Sequence, residues 1–488
     1  MAQHLNLAAL GSLPKEIATP AYDRSDLTAG IVHIGVGNFH RAHQAVYLDN
    51  LFGMGRDHDW AIIGAGIKSF DAAKREALKS QDWLTTVVEL DPNHLSARVT
   101  GAMIDFAEVS PEAVRAALED PAIRIASLTV TEGGYYVDAR TGGFDAAHPE
   151  MLADAASPDK PKTVFGILIA ALQARRAAGV APFTVMSCDN LPENGHVAKQ
   201  AVIGLATLID PDLATWIDVN VAFPNGMVDC ITPATSPVEI AIVQDAFGIE
   251  DAAPVTCEPF RQWVLEDHFP AGRPALEDVG VTFVDDVKPY ELMKLRILNG
   301  GHAAIAYIGA LLGYEMSADS MADPDVAAWY RKLAQTEIIP TLSPIQGVDY
   351  GAYLENCMVR FANSAVKDTI PRLCLDGSNR QPKFILPTIQ DALAAGLPVD
   401  GLALEVALWC RYCATSAEVG STVTLHDERA EALQRAALAT RTDPAAFLEL
   451  DDVFGKLKDS EAFSAAFARQ IGALWQHHAR SVLRAYAG

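Results

Sequence analysis

Basic residues are in short supply in this chain: 38 Lys plus Arg face 62 Asp plus Glu among 488 residues, a formal net charge of −24. A surface of that sign repels nucleic acid and anionic membranes, so a small or neutral partner is expected. Acidity that serves solubility alone is the plainer reading of the same number. Cysteine is scarce as well. Seven are scattered along the chain, and an odd count fits a reducing, cytoplasmic setting better than a disulfide framework. Cys410 and Cys413 form a C-x-x-C within the apolar run 402–413, where core packing and a redox pair are the competing readings. No uninterrupted apolar stretch approaches the ~20 residues of a membrane span. The first ten residues hold no Lys or Arg and no long apolar run, so no signal peptide is expected. HExxH is missing, and His40 and His43 have no third ligand at a recognisable spacing, so no metal is expected.

What the chain has in quantity is apolar residues, 50% of the total, enough to bury a large core, and a length that suggests two domains. Strand-like runs at 31–35, 60–64, 85–90, 123–131, 183–187, 219–223, 239–243 and 281–284 alternate with helical periods at 42–51, 72–79, 111–118, 162–178 and 196–208. Several of the strand runs are continuous Val/Ile/Ala, the pattern of strands buried on both faces. This alternation predicts a doubly wound, Rossmann-like α/β domain over 1–287. From 288 to 488 the strands stop, and Ala- and Leu-rich periods at 326–333, 401–413, 429–438 and 461–475 predict a mainly α-helical second domain.

Gly35-Val-Gly37-Asn38-Phe39-His40-Arg41 follows the first strand run and opens a helix. That is the context a dinucleotide-binding turn requires, because glycines let backbone N–H groups approach a pyrophosphate at a helix N-terminus. The third glycine of the usual fingerprint is replaced by His40, and Arg41 adds a positive charge. After the second strand run, Asp71 can accept from ribose hydroxyls and repel a 2′-phosphate, favouring NAD over NADP; it can equally be a helix cap before Ala72. Glu132, in the strand-end turn 131–135, is placed to line the cofactor. Asn190 and Asp229 stand in turns that follow strand runs, where the ligand crevice of a doubly wound sheet lies, although turn residues of these types need no further explanation. Arg372 is an isolated base amid apolar residues, for which a structural ion pair is the default.

The segment 291–313 is apolar on nearly every side, yet it carries Glu291, Lys294, Asn299 and His302. At about 100° per residue these four fall within an arc of roughly 140° and converge on a common point. Burying an amide without partners costs about 2–7 kcal/mol and a charge more, so such a set marks a buried chemical site, here just past the domain junction.

Together these segments resemble the mannitol dehydrogenases, the polyol-specific long-chain dehydrogenase family, and within it the mannitol 2-dehydrogenases. The resemblance covers essentially the whole chain and rests on GVGNFHRAHQ (35–44), TEGGYY (131–136), TVMSCDNLPENG (184–195), FPNGMVDCITP (223–233), CEPFRQWVLED (257–267) and KLRILNGGH (294–302). The last, a K-x-x-x-x-N-x-x-H arrangement, is the most specific. The family joins a Rossmann-like domain to a helical one and uses no metal. The resemblance implies Lys294 as general base, Asn190 and Asn299 as stabilisers of a developing alkoxide and His302 as substrate orienter. It further implies Asp229 and Arg372 as binders of polyol hydroxyls, and Glu291 as a proton-exit partner of the lysine. Two departures stand out. The family's V-D-R is Val228-Asp229-Cys230 here, and Phe70 stands where the first of two acidic residues is often found, leaving Asp71 alone to exclude NADP.

The expected activity is thus NAD-dependent, metal-free interconversion of a polyol and a ketose, D-mannitol and D-fructose, by a monomeric cytoplasmic enzyme. Oxidation of D-arabinitol or another polyol, or reduction of a uronate as in fructuronate reductases, are the alternatives within this chemistry. A non-catalytic dinucleotide-binding sensor is the alternative outside it, and it gives no reason to bury Lys294, Asn299 and His302 together.

Overall fold

A computed structural model describes residues 2–138 and 141–488. The chain divides into two compact units, Met1–Lys288 and Pro289–Gly488. In the first unit β1 (Ala29–Ile34) leads through a tight turn into α1 (Asn38–Ala42). Next come β2 (Ala61–Ala65), α2 (Ser69–Lys79), β3 (Thr85–Leu90), β4 (Leu95–Thr100), β5 (Met103–Phe106) and β6 (Ile125–Leu128). α3 (Val164–Ala178), β7 (Thr184–Ser187), α4 (Asn194–Ile209) and β8 (Gly226–Asp229) follow. β9 (Val255–Cys257), β10 (Gln262–Glu266) and β11 (Thr282–Val284) complete the strands that matter here.

Five strands form one parallel sheet in the order β5-β2-β1-β6-β7. Period-2 alternation sends side chains to two separate cores. Val32, Ile34, Ala126, Leu128 and Val185 pack with Phe165, Leu168 and Leu205 on one face. Ile31, Ile125 and Met186 pack with Leu48, Phe52 and Trp263 on the other. Both faces are covered, which is why these strands read as continuous apolar runs. The chain leaves β1 in one direction to β2 and returns on the other side as β6. This switch point places the carboxyl ends of β1 and β6 at the mouth of a ligand crevice. Two three-stranded sheets, β9-β3-β4 and β11-β10-β8, and a two-stranded parallel pair of Gln3–His4 with Ile249–Glu250 complete the strand layers.

Two strand expectations fail. Residues 219–223 contain the end of a helix, Pro211–Asn220, and the strand forms later as β8. Residues 239–243 are the middle of a helix, Pro237–Phe247. The β-branched Val238 and Ile240 suggest a strand, but Ser236 caps the helix, Glu239 bonds back to the Ser236 N–H at 2.7 Å, and Pro237 sits at the first helical position. Local capping chemistry outweighs side-chain branching. Strand β5 at the edge of the parallel sheet, and β4, β9 and β10 in the smaller sheets, have no counterpart in the strand runs read from the sequence.

The second unit is built from helices; among its described residues the only β pairing is an isolated bridge between Met316 and Thr369. Its central element is α5 (Lys288–Leu312), 25 residues long, followed by α6 (Pro324–Leu333), α7 (Tyr350–Phe361), α8 (Ile370–Leu373), α9 (Gly377–Phe384) and α10 (Asp400–Ser416). By length and composition α5 could cross a membrane, but 72% of its most apolar window is buried inside the structure, as a core helix would be. α10 is likewise surrounded, and Cys410 and Cys413 lie in its core as free thiols that burial pushes well above their ordinary range. Thiols so placed are inert packing groups.

Candidate active site

The turn after β1 is shaped by Gly35, whose φ of +98° is open to glycine and strained for any other residue. A Cβ there would also run into the carbonyl of Thr129 on the neighbouring strand end. Thr129 Oγ1 donates to the Gly35 carbonyl at 2.6 Å, and the buried His33, bonded to Ser127 and Thr129, supports it from below. Gly37 differs. Its φ is −88°, and a Cβ on it would meet nothing closer than 3.7 Å. Nothing in the fold requires glycine at 37, whereas a ligand lying against its backbone would.

The next residues face inward. Asn38 donates to the Pro233 carbonyl at 3.1 Å and to Thr235 Oγ1 at 2.9 Å. The Phe39 ring stacks on His43 at 4.7 Å. His40 stacks on His33 at 3.5 Å and bonds Gln44, and burial drives both histidines to remain neutral. Arg41 is buried too: its guanidinium is bound to the Ala253 carbonyl, the Gly37 carbonyl and Asn38 Oδ1. Burial lowers its pKa to about 10, against the attraction of Asp251. The Asn38 and Arg41 side chains of this turn are thus committed to protein partners.

Asp71 lies beyond the carboxyl end of β2. Helix α2 begins at Ser69, three residues earlier than Ala72, and Asp71 is its third residue, with Oδ2 accepting the Lys68 N–H at 2.9 Å. The capping role is therefore real, and the same carboxylate packs over Gly66 at the strand end. Phe70 beside it is 69% exposed.

Asp189 is the group that the motif reading missed. Buried at the end of β7, its carboxylate accepts the Val130 and Thr131 N–H groups at 2.9 and 3.0 Å and the Tyr135 hydroxyl at 2.7 Å. Burial raises its pKa against those bonds. The clamp holds Thr131 at φ +67°, an unusual conformation for a β-branched residue, and thereby sets the turn that carries the exposed Glu132. Asn194 pins the adjacent strand ends, bonding the Asp189 carbonyl at 3.0 Å and the Gly226 carbonyl and N–H at 2.8 and 2.9 Å. Asn190 is exposed beside this clamp, and Asp229 is buried at the end of β8. Only the D-N-x-x-x-N spacing of 189, 190 and 194 hinted at these supports.

In the second unit Glu291, Lys294 and His302 are buried along α5, and Asn299 is half-buried. The helix is not α throughout: Lys294–Asn299 is a π-helical turn. With i→i+5 bonding, residues five apart draw towards the same side, so Asn299 lies nearer the Lys294 face than α spacing predicts. His302 packs against Phe361 at 4.2 Å and is kept neutral by burial, with Arg372, Arg360 and Arg380 adding repulsion. Arg372 forms the ion pair that was its default reading: Nε and Nη2 donate to the Asp368 carboxylate at 2.6 and 2.5 Å. Arg296, on the opposite side of the π turn, is tied to Thr341 and Asp391. Among the described residues no three His, Cys, Asp or Glu side chains cluster as a metal would need.

Comparison with known proteins bears on both units. The model of the mannitol dehydrogenase Rossmann domain matches residues 29–278, and that of the mannitol dehydrogenase C-terminal domain matches 286–475. A mannitol 2-dehydrogenase of Cereibacter sphaeroides is 55% identical over 476 residues, covering 97% of this chain and 99% of its own. One from Phaeosphaeria nodorum is 42% identical, covering 99% and 85%. Among solved structures, the Pseudomonas fluorescens mannitol 2-dehydrogenase in ternary complex with NAD and D-mannitol is 44% identical with a TM-score of 0.86, covering 99% of both chains. A substrate-free D-sorbitol dehydrogenase is 36% identical with a TM-score of 0.91, covering 98% of this chain and 100% of its own. On this evidence the chain belongs to the mannitol dehydrogenase family.

Proposed function

We propose that this chain is an NAD-dependent mannitol 2-dehydrogenase that interconverts D-mannitol and D-fructose with Lys294 as general base. The observation that carries the reading is the burial, on one helix with a π turn, of Lys294, Glu291 and His302 beside Asn299. A soluble binding module would have no use for so costly a set. The residues at the β1 turn fit a dinucleotide: Gly35 makes the bend, Gly37 leaves the backbone open, and the helix start offers N–H groups to a pyrophosphate. In this reading Asp71 accepts from the adenine-side ribose, and its charge favours NAD over NADP. When bound, the nicotinamide supplies the hydride acceptor.

The remaining chemistry falls to side chains. A secondary alcohol releases hydride only as its hydroxyl proton leaves, so a base must accept that proton near neutral pH. An amine kept out of water loses the advantage of its charged form, which makes Lys294 Nζ a competent acceptor. The carboxamides of Asn190 and Asn299 donate to the developing alkoxide without competing for the proton. His302, neutral because it is buried, orients the substrate through hydrogen bonds rather than charge. Glu291, one turn before Lys294, takes the proton onward to solvent. Asp229 and Arg372 bind distal hydroxyls. Because Asp368 already neutralises Arg372, a hydroxyl suits this arginine better than the carboxylate of a uronate.

The similarity to a D-sorbitol dehydrogenase supports a second reading in which another hexitol is preferred. Following NADH absorbance with mannitol, sorbitol, arabinitol and, in reverse, fructose and fructuronate separates them. The highest kcat/KM with mannitol and fructose is expected. No turnover of any polyol or ketose would end the proposal.

A further inference from the structure

Tyr330 reaches into the irregular part of α5 from the neighbouring helix α6. It is fully buried, and its hydroxyl donates to the Ile297 carbonyl at 2.6 Å, within the π turn Lys294–Asn299. In a regular α-helix that carbonyl belongs to the N–H four residues on, that of Gly301. The Tyr330 ring lies against the same residue: a Cβ on Gly301 would overlap the hydroxyl and the ring edge. Gly300 beside it is under no such constraint, since a Cβ there would meet ordinary contacts at 3.5 and 3.6 Å. At the end of the turn the Gly300 N–H is divided between the Leu295 carbonyl, five residues back, and the Ile297 carbonyl, three back. The hydroxyl adds an undivided donor at the second of these. The ring also stands 5.7 Å from Phe361, against which His302 packs at 4.2 Å. Trp329, next to Tyr330, donates from Nε1 to the Ala304 carbonyl at 3.2 Å, beyond the π turn.

We infer that Tyr330 is a positioning residue for the reaction: it holds the Ile297 carbonyl, with room made by Gly301, and so keeps the π turn that sets Asn299 and His302 against Lys294. The inference rests on the function proposed above. A side chain that takes up a helix carbonyl competes with the i→i+4 bond, and such insertion into the ladder is one of the few causes of a local irregularity. Without the hydroxyl the Ile297 carbonyl returns to the backbone, and the segment relaxes towards α spacing. That restores the separation of roughly 140° between Lys294 and Asn299 around the helix. The base and the alkoxide donor then no longer meet one oxygen atom, and a misplacement of about 1 Å is enough to cost about 10²-fold in rate. Tyr330 acts through the backbone of α5 and through Phe361, not on the reacting atoms.

Tyr330→Phe removes one oxygen and leaves the ring to fill its place. In the full chain, with folding checked by circular dichroism and assays run well below the melting temperature, kcat for mannitol oxidation should fall about tenfold or more. KM for mannitol and the affinity for NADH should stay near wild type, because the lost interaction counts in the transition state. The acidic limb of the kcat/KM profile should move to higher pH, since a relaxed turn admits water to the Lys294 amine and favours its charged form. Trp329→Phe, which removes the neighbouring donor beyond the π turn, should lower the melting temperature and leave that limb in place. Gly301→Ala should lower kcat as Tyr330→Phe does, and the double variant should be no worse than Gly301→Ala alone, as expected when both act through one bond. A folded Tyr330→Phe that only melts earlier, with wild-type kcat and pH profile, overturns the inference and leaves Lys294 as base. A limb that moves as far in Trp329→Phe overturns it too, since helix packing at large would then be the cause. Wild-type protein that turns over no polyol would defeat the proposed function itself, and this inference with it.

Discussion

Alanine at the two glycines of the β1 turn should fail in opposite ways. At Gly35 the backbone has φ +98°, and a methyl would meet the Thr129 carbonyl. Left-handed strain costs about 1–2 kcal/mol, and overpacking adds about 1–3. With a melting shift of about 2–4 °C per kcal/mol for domains of roughly this size, Gly35→Ala should melt roughly 4–20 °C below wild type without any ligand. At Gly37 the backbone is ordinary and a methyl has room, so Gly37→Ala should melt within roughly 1 °C of wild type. The same methyl would hold a pyrophosphate away from the N–H groups at the helix start. NADH affinity should weaken at least about tenfold, equivalent to about 1.4 kcal/mol. Differential scanning fluorimetry of the apo-protein and NADH fluorescence titration measure the two quantities separately. If Gly37→Ala binds NADH normally, the cofactor does not lie against this turn. If it destabilises the apo-protein as much as Gly35→Ala does, the glycine serves the fold alone.

Lys294→Ala should lower kcat by about 10²–10⁴-fold while NADH affinity stays near wild type; turnover close to normal across neutral and alkaline pH would remove the lysine from the reaction. Asp71→Ser should raise kcat/KM with NADP relative to NAD, and an unaltered ratio would limit Asp71 to capping α2. His33, His40 and His302 are depressed by burial, so the unfolded chain takes up their protons first. The stability they protect is whole above the unfolded histidine pKa of about 6.5 and falls below it, by up to about 1.4 kcal/mol per pH unit for each. Chemical denaturation at a series of pH values checks the slope; a flat stability from pH 7 to 5 would contradict it. Glu405, buried and bonded to Gln381 at 2.7 Å, is raised to about 8. The folded state therefore loses stability as pH climbs from the unfolded value towards 8, and Glu405→Gln should gain stability over wild type at pH 9 but not at pH 5.

The parallel sheet was legible because its strands are buried on both faces, and continuous Val/Ile runs such as β1 have few other uses. Residues 237–247 were misread because Val238 and Ile240 favour strands, whereas Ser236, Pro237 and Glu239 build a capped helix start. Lys294 and His302 announced themselves as polar residues in an apolar helix. The π turn did not, since an i→i+5 turn has no residue signature and arises from how the helix packs. Asp189 was obscured for another reason. Its partners at 130, 131 and 135 lie over fifty residues upstream, and only the alignment of the β6 and β7 ends brings them within reach.

The π turn can be regarded as a phase error of a single residue in an otherwise regular rod. Removing one residue between Lys294 and Asn299 would let α5 close up as uninterrupted α-helix, rotating everything after the cut by about 100°. His302 would leave the lysine's side for the flank of the helix, although the apolar composition, and with it the tendency to bury, would barely change. On the function proposed above, folding and chemistry place separate demands on this helix, and the irregular turn is where the second is met at the expense of the first.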